Sequence, residues 1–163
     1  MTTDRATAIV IETGPSMELG APSKRSRATR EALRLFGGAG AWTPCEGRVR
    51  WVSSGGLAAA LEAARHLDLP ELSRQIARLP VERVVVFGDL YDPRAILDAM
   101  RPLGERERIF VEVLSPAERG ARAVGPMERA LVAYLQTLRP HRERAREWLR
   151  ATGVHLEDLP LAA

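Results

Sequence analysis

The chain has 163 residues, 45% hydrophobic and 28% charged, the balance of one folded domain that at this length buries roughly 70% of its extended-chain surface without a disulfide or structural metal. One cysteine, Cys45, excludes a disulfide framework and a cysteine zinc site, and no apolar run approaches the roughly 18 residues of a membrane span. The net charge of +3 rests on arginine, since Lys24 is the only lysine, and so weak a basicity does not identify a nucleic-acid partner.

Met1-Thr2-Thr3-Asp4-Arg5 lacks the basic-then-apolar pattern of a signal segment, so a single cytoplasmic domain over residues 1–163 is expected. Ala8-Ile9-Val10-Ile11 is short, β-branched and followed by Gly14-Pro15, which predicts a buried strand ending in a loop. From Ser23 to Phe36, Ala28, Ala32, Leu33 and Phe36 recur at helical spacing, with Arg25, Arg27, Arg30 and Arg34 on a basic outer face and Gly37-Gly38 as the stop.

Alternation of Val49, Trp51 and Ser53 with Arg48, Arg50 and Val52 predicts a half-exposed strand ended by Gly55-Gly56. Leu57, Ala60, Leu61, Ala64 and Leu67 predict a helix stopped before Pro70, and Leu72, Ile76 and Leu79 a short one stopped before Pro80. Arg83-Val84-Val85-Val86-Phe87 is the continuous β-branched run of a central parallel strand covered on both faces. Asp92 and Pro93 form an N-cap and first-turn pair for a helix carrying Ile96, Leu97, Met100 and Leu103.

A strand over Ile109–Leu114 comes next, and Ser115-Pro116-Ala117-Glu118 has capping-box spacing, expected to close a short helix or turn. Met127, Ala130, Leu131, Tyr134, Leu135 and Leu138 predict a helix that Pro140 breaks or restarts, with Ala145, Trp148 and Leu149 continuing the stripe to Gly153. Val154 and Leu156 suit a last edge strand. Arg139, Arg142, Arg144, Arg146 and Arg150 read as solvated helix faces, partly offset by Glu143 and Glu147. His66, His141 and His155 lack ligand spacing.

Alternation of strands and helices predicts an α/β fold of three layers, a mostly parallel central sheet with helices on both faces. In such sheets ligands gather beyond the carboxyl ends of the strands, which directs attention to the loops after Ile11, Ser53, Phe87 and Leu114. After the first strand stands Glu12-Thr13-Gly14-Pro15-Ser16-Met17, and after the central one Gly88-Asp89-Leu90-Tyr91-Asp92.

This order of strand, acidic-serine loop ending in methionine, arginine-rich helix, then strand and aspartate loop resembles a von Willebrand factor A domain, a Rossmann-type fold. That family's first loop reads Asp-x-Ser-x-Ser and forms, with a later threonine and aspartate, a metal-ion-dependent adhesion site. The chain is more similar to the bacterial branch called domain of unknown function 58, whose genes commonly neighbour MoxR-type AAA ATPases. Gly88-Asp89-Leu90-Tyr91-Asp92 stands for that branch's Ser-Asp-Phe-x-Asp, and Ser115-Pro116-Ala117-Glu118 for its Asp-Pro-x-Glu after a strand. Tyr134 and His141, on a long helix leading into Gly153-Val154, suit its closing pattern.

The resemblance implies a free-standing, non-enzymatic protein-interaction domain, an adaptor or recognition partner of a MoxR-type AAA ATPase. Its binding face would comprise Glu12, Thr13, Ser16, Met17, Asp89, Leu90, Tyr91 and Asp92. It also implies Glu12, Ser16 and Asp89 as ligands for Mg or Mn, in a degenerate site: Glu12 and Gly14 replace the first aspartate and serine, and no threonine lies between Thr43 and Thr137. Such ions take about six oxygens in near-octahedral geometry, so a metal-free recognition face is the expectation. The alternative is a metal-dependent nuclease in which Glu12, Asp89 and Asp92 hold ions that activate water. No Gly-x-Gly-x-x-Gly or Gly-x-x-x-x-Gly-Lys phosphate loop is present, and Ser16 sits in no Gly-x-Ser-x-Gly elbow.

Overall fold

The computed structural model describes residues 6–120 and 125–160. Six strands, β1 (Thr7–Ile11), β2 (Ala41–Cys45), β3 (Arg48–Val52), β4 (Arg83–Gly88), β5 (Glu107–Glu112) and β6 (His155–Asp158), form one sheet in the order β3-β2-β1-β4-β5-β6. All neighbours are parallel except β2 and β3. The helices are α1 (Lys24–Phe36), α2 (Ser54–Ala63), α3 (Leu69–Ala77), α4 (Pro93–Met100), α5 (Pro126–Thr137) and α6 (Arg139–Ala151).

Alternate strand residues point to opposite faces, and both faces are covered. Ala8, Val10, Val84, Val86 and Phe110 pack with Leu72 and Ile76 of α3, Ile96 and Met100 of α4 and Leu149 of α6. Ile9, Ile11, Val85, Phe87 and Val111 pack with Ala28 and Ala32 of α1 and Leu57 and Leu61 of α2. The predicted α/β architecture with a mostly parallel sheet between helices is therefore present. Each fully buried Ile, Val or Phe adds roughly 1.5–3 kcal/mol of transfer free energy, so β1 and β4 anchor the molecule from its centre.

Local signals account for every helix start but that of α2 among the described residues. Ser23 accepts from Ser26 N–H ahead of α1, Asp68 from Glu71 N–H ahead of α3, and Asp92 from Ala95 N–H ahead of α4. Pro70, Pro93, Pro126 and Pro140 all occupy first-turn positions, where a missing N–H costs nothing. Pro70 thus opens α3; α2 ends earlier, at Ala63, where Arg25 from α1 donates to the carbonyls of Glu62 and Ala64 at 2.7 and 2.6 Å. That use of Arg25 explains its burial and corrects the expected basic outer face of α1, on which only Arg30 and Arg34 are exposed.

β2 carries no strand signal in the sequence, because Pro44 argues against one. Two devices allow it. The hairpin to β3 turns through Glu46 and Gly47, both at positive φ (51° and 82°), the two-residue geometry that matches strand twist. Thr43 donates its hydroxyl to the carbonyl of Ile9 at 3.0 Å, tying β2 to β1 beside the proline. Across the hairpin Trp42 and Trp51 stack edge to face, with centroids 6.0 Å apart.

Because β3 runs antiparallel, its end at Val52 pairs with Ala41 at the start of β2. The loop after Ser53 therefore lies at the amino edge of the parallel strands, away from the loops after Ile11 and Gly88. Gly55 and Gly56, expected to end the strand, fall inside α2. β5 begins and ends two residues earlier than predicted, pairing Glu107 with Arg83 and Glu112 with Gly88. The strand order makes β1 and β4 the point where the chain's progression across the sheet reverses, the place where open α/β sheets leave a crevice at their carboxyl edge.

Candidate functional site: an ionic network at the carboxyl edge

Glu12 leaves β1 still in register, its N–H donating to Phe87 carbonyl at 2.9 Å, and its side chain folds across the end of β4. A Cβ on Gly88 would stand 1.8 Å from Glu12 Oε2, so only glycine leaves room for this carboxyl. Asp89 N–H donates to the same oxygen at 3.1 Å. The residue as a whole keeps partial exposure, but its carboxyl is desolvated. Burial first, then the neighbouring Asp89 charge, pushes its pKa up from 4.5 to about 8.

Asp89, 4% exposed, begins the loop after β4. Its Oδ2 accepts from the Ser16 hydroxyl at 2.5 Å and from Lys24 Nζ at 2.9 Å, and its Oδ1 accepts from Tyr91 N–H at 3.4 Å. Between Asp89 and Tyr91 the chain turns through Leu90 at φ 59°, which drives the Leu90 side chain into the core.

Lys24 is the first residue of α1 and its side chain has no exposed surface. The ammonium bridges Asp89 and Glu118, the latter at 2.7 Å. Glu118 closes the Ser115–Glu118 turn by the reciprocal bonds that its spacing predicts, Ser115 N–H to Glu118 Oε1 at 3.4 Å and Glu118 N–H to Ser115 Oγ at 3.3 Å. Its Oε2 accepts from the Tyr91 hydroxyl at 2.6 Å. Burial and that bond hold the Tyr91 phenol far above its ordinary pKa of 10.

The network continues into α6. Arg142 donates to Tyr91 Oη at 3.4 Å and to Glu112 Oε1 at 3.3 Å, and Arg146 pairs with both Glu112 oxygens, Nε to Oε2 at 3.0 Å. Lys24 Nζ and Arg142 Cζ each lie 5.2 Å from the Tyr91 ring centroid, within cation–π range. Arg142 and Arg146 are thus bound to Glu112, 3% exposed, which corrects their reading as solvated helix faces.

The expected contact residues separate into two groups. Met17, Leu90 and Asp89, at 1%, 0% and 4% exposure, are buried, as is the carboxyl of Glu12, and offer a partner nothing. Thr13, Ser16 and Tyr91 are half-buried and Asp92 is exposed, so these, with the exposed Gly14 and Pro15, make the accessible rim. Thr13 Oγ1 accepts from Leu67 N–H at 3.4 Å, and Asp92 caps α4 at 3.3 Å.

Glu12, Ser16 and Asp89 do come together, but their arrangement does not suit a divalent ion. The Asp89 oxygen that would ligate one already receives Lys24 and Ser16, and the Glu12 carboxyl retains its proton up to about pH 8. Among the described residues no three His, Cys, Asp or Glu side chains are grouped to hold a metal. A compact ammonium with three donors supplies the positive charge instead.

Sequence reasoning missed Lys24, Glu112, Glu118, Arg142 and Arg146 as members of the site. Two signals were available: the sole lysine in a chain that otherwise uses arginine, and a carboxylate inside the apolar run Ile109–Leu114. No protein-family model, curated protein or solved structure matches the chain.

Proposed function

We propose that the chain is a non-enzymatic protein-interaction module, an adaptor or recognition partner of a MoxR-type AAA ATPase, that presents the rim at the carboxyl edge of its sheet. The observation that supports this reading is the closure of the ionic network. Glu12, Asp89, Glu112 and Glu118 are each engaged by a donor of the same chain, and Asp92 caps α4. Such an arrangement holds loops in one shape and leaves a reacting atom no free carboxylate pair. Pre-organised loops lose less conformational freedom on binding. The ATPase as partner rests on the family resemblance.

The nuclease alternative requires Glu12, Asp89 and Asp92 to ligate ions together. Glu12 protonated near neutrality and Asp89 bound to an ammonium disfavour it.

The test uses the purified MoxR-type ATPase encoded in the same genome and calorimetric titration with the full chain. Gly14 is exposed, with open space where a Cβ would stand, so Gly14→Arg obstructs the rim without disturbing the fold. Binding by wild type and at least about tenfold weaker binding by Gly14→Arg is the expected result, equal to about 1.4 kcal/mol. Absence of binding overturns the ATPase reading, and manganese-dependent cleavage of DNA or RNA that disappears in Glu12→Gln overturns the non-enzymatic one.

A further inference from the structure

α4 and α6 lie side by side and leave between them a groove of about 590 Å³. Each helix turns the same spacing towards it: Arg94, Leu97, Asp98 and Arg101 along α4 and the turn that follows it, His141, Arg144, Ala145 and Trp148 along α6. Positions i, i+3, i+4 and i+7 form one helical face, so the groove is a trough walled by one face of each helix.

Its floor is apolar. Met100 and Ala145 are buried at 2% and 1% exposure, Leu97 is half-buried, and Trp148 stands beside them 59% exposed. An indole left this open beside an apolar floor is the feature that marks the energetic centre of many protein interfaces, where Trp and Arg are enriched.

The walls are basic. Arg94 and Arg144 are exposed, and among the described residues neither forms an ion pair. Among the described residues Asp98 is the only carboxylate lining the groove, and it lies 3.9 Å from Arg101. Arg108 is spent on the carbonyls of Met100 and Thr152. The positive charge is therefore spread along the trough: Arg94 and Arg101, seven residues apart, are separated by about 10 Å of helix axis. A compact anion such as phosphate needs donors converging on one point. Charges set along two rims above an apolar floor suit a ligand that is itself extended, acidic on its flanks and apolar beneath.

We propose that this groove docks an acidic amphipathic helical segment of a partner protein, its apolar stripe seated on Leu97, Met100 and Ala145 against Trp148 and its carboxylates facing Arg94 and Arg144. The proposal stands independently of the ATPase reading, because it concerns the helical side of the molecule.

Random twelve-residue peptide display against the intact chain tests it, followed by fluorescence anisotropy with synthetic copies of the enriched sequences. Expected are sequences rich in Asp and Glu with Leu, Phe or Trp at i, i+4 and i+7. Their binding should weaken at least about tenfold in the double variant Arg94→Glu, Arg144→Glu and in Trp148→Ala, remain unchanged in Arg30→Glu on α1, and fall with added salt. All the altered side chains are exposed, so the variants should melt with the wild type, and circular dichroism verifies that. Enriched peptides without acidic residues overturn the proposal, as does equal binding to the charge-reversed variant. It is likewise overturned if ATP binds in an Arg94- and Arg144-dependent way while no peptide does, or if the wild-type chain forms a dimer that Trp148→Ala abolishes.

Discussion

The ammonium of Lys24 lies 2.9 Å from Asp89, with 0% and 5% of the two side chains exposed, so the first turn of α1 is pinned to the end of β4 by a buried ion pair. Glu118 shares the same ammonium, so removing it strands two carboxylates. Lys24→Met is expected to destabilise the chain by about 3–5 kcal/mol in urea denaturation at neutral pH. Lys24→Arg is expected not to restore stability, because a planar fork does not fit where a compact charge reaches two carboxylates and a π face. Manganese added to Lys24→Ala should raise its melting temperature, and added to wild type should leave it unchanged, since only an ion bound to the native state stabilises it. A rise in wild type would show a functional metal site.

Gly88 and Glu12 are coupled by space alone. Gly88→Ala places a methyl where the Glu12 carboxyl lies and should cost about 1–3 kcal/mol. In the background of Glu12→Ala the same change should cost much less, and a double-mutant cycle should return a coupling of about 0.5–3 kcal/mol. Additivity would mean that the two side chains do not compete for this volume.

The protonated Glu12 gives stability a pH dependence of definite sign. Its folded pKa near 8 exceeds the 4.5 of the free group, so between those values the native state binds more protons than the unfolded state. Its contribution is therefore present at pH 4.5 and below and is lost as pH rises towards 8, with a slope of at most about 1.4 kcal/mol per pH unit. Denaturation curves for Glu12→Gln from pH 5 to 8 should lack this slope, making the variant relatively more stable as pH increases. Parallel pH profiles for the two proteins would sink the assignment.

Glu112 holds α6 to the sheet through Arg142 and Arg146. Glu112→Ala leaves a guanidinium that is 8% exposed without its carboxylate, and should cost about 3–5 kcal/mol. Hydrogen exchange should then accelerate in α6 before it does in β4, whose core contacts are untouched. Uniform acceleration would show that the pair acts on global stability only.

Much of the architecture was legible one segment at a time. The β-branched run at Val84–Val86, the cap at Asp92 and the helical stripes of α1, α3, α4 and α6 are local signals, and the elements they predict form where expected. β2 was hidden because Pro44 speaks locally against a strand that a hairpin turn and a side-chain bond from Thr43 make possible. Gly55 and Gly56 read as a stop, yet packing of Leu57 and Leu61 carries the helix through them.

At the site the balance is reversed. Glu12, Ser16 and Asp89 were found because they follow strands, and strand ends in a parallel sheet converge on one edge. Their partners were not, since Lys24 and Glu118 stand 94 residues apart, and Glu112 and Arg146 stand 34 apart. In sequence a lysine opening a helix and arginines on an amphipathic one are surface charges by default, because exposure is what their solvation favours. Only the folded chain, by closing α1 and α6 over the ends of β4 and β5, removes that water and makes each charge depend on an opposite one. The sequence by itself determined most of the strands and helices, though not β2, and that the loops after Ile11 and Phe87 gather at one edge. Tertiary structure decided that those loops are locked by an internal cation, because burial, unlike periodicity, is a property of the whole chain.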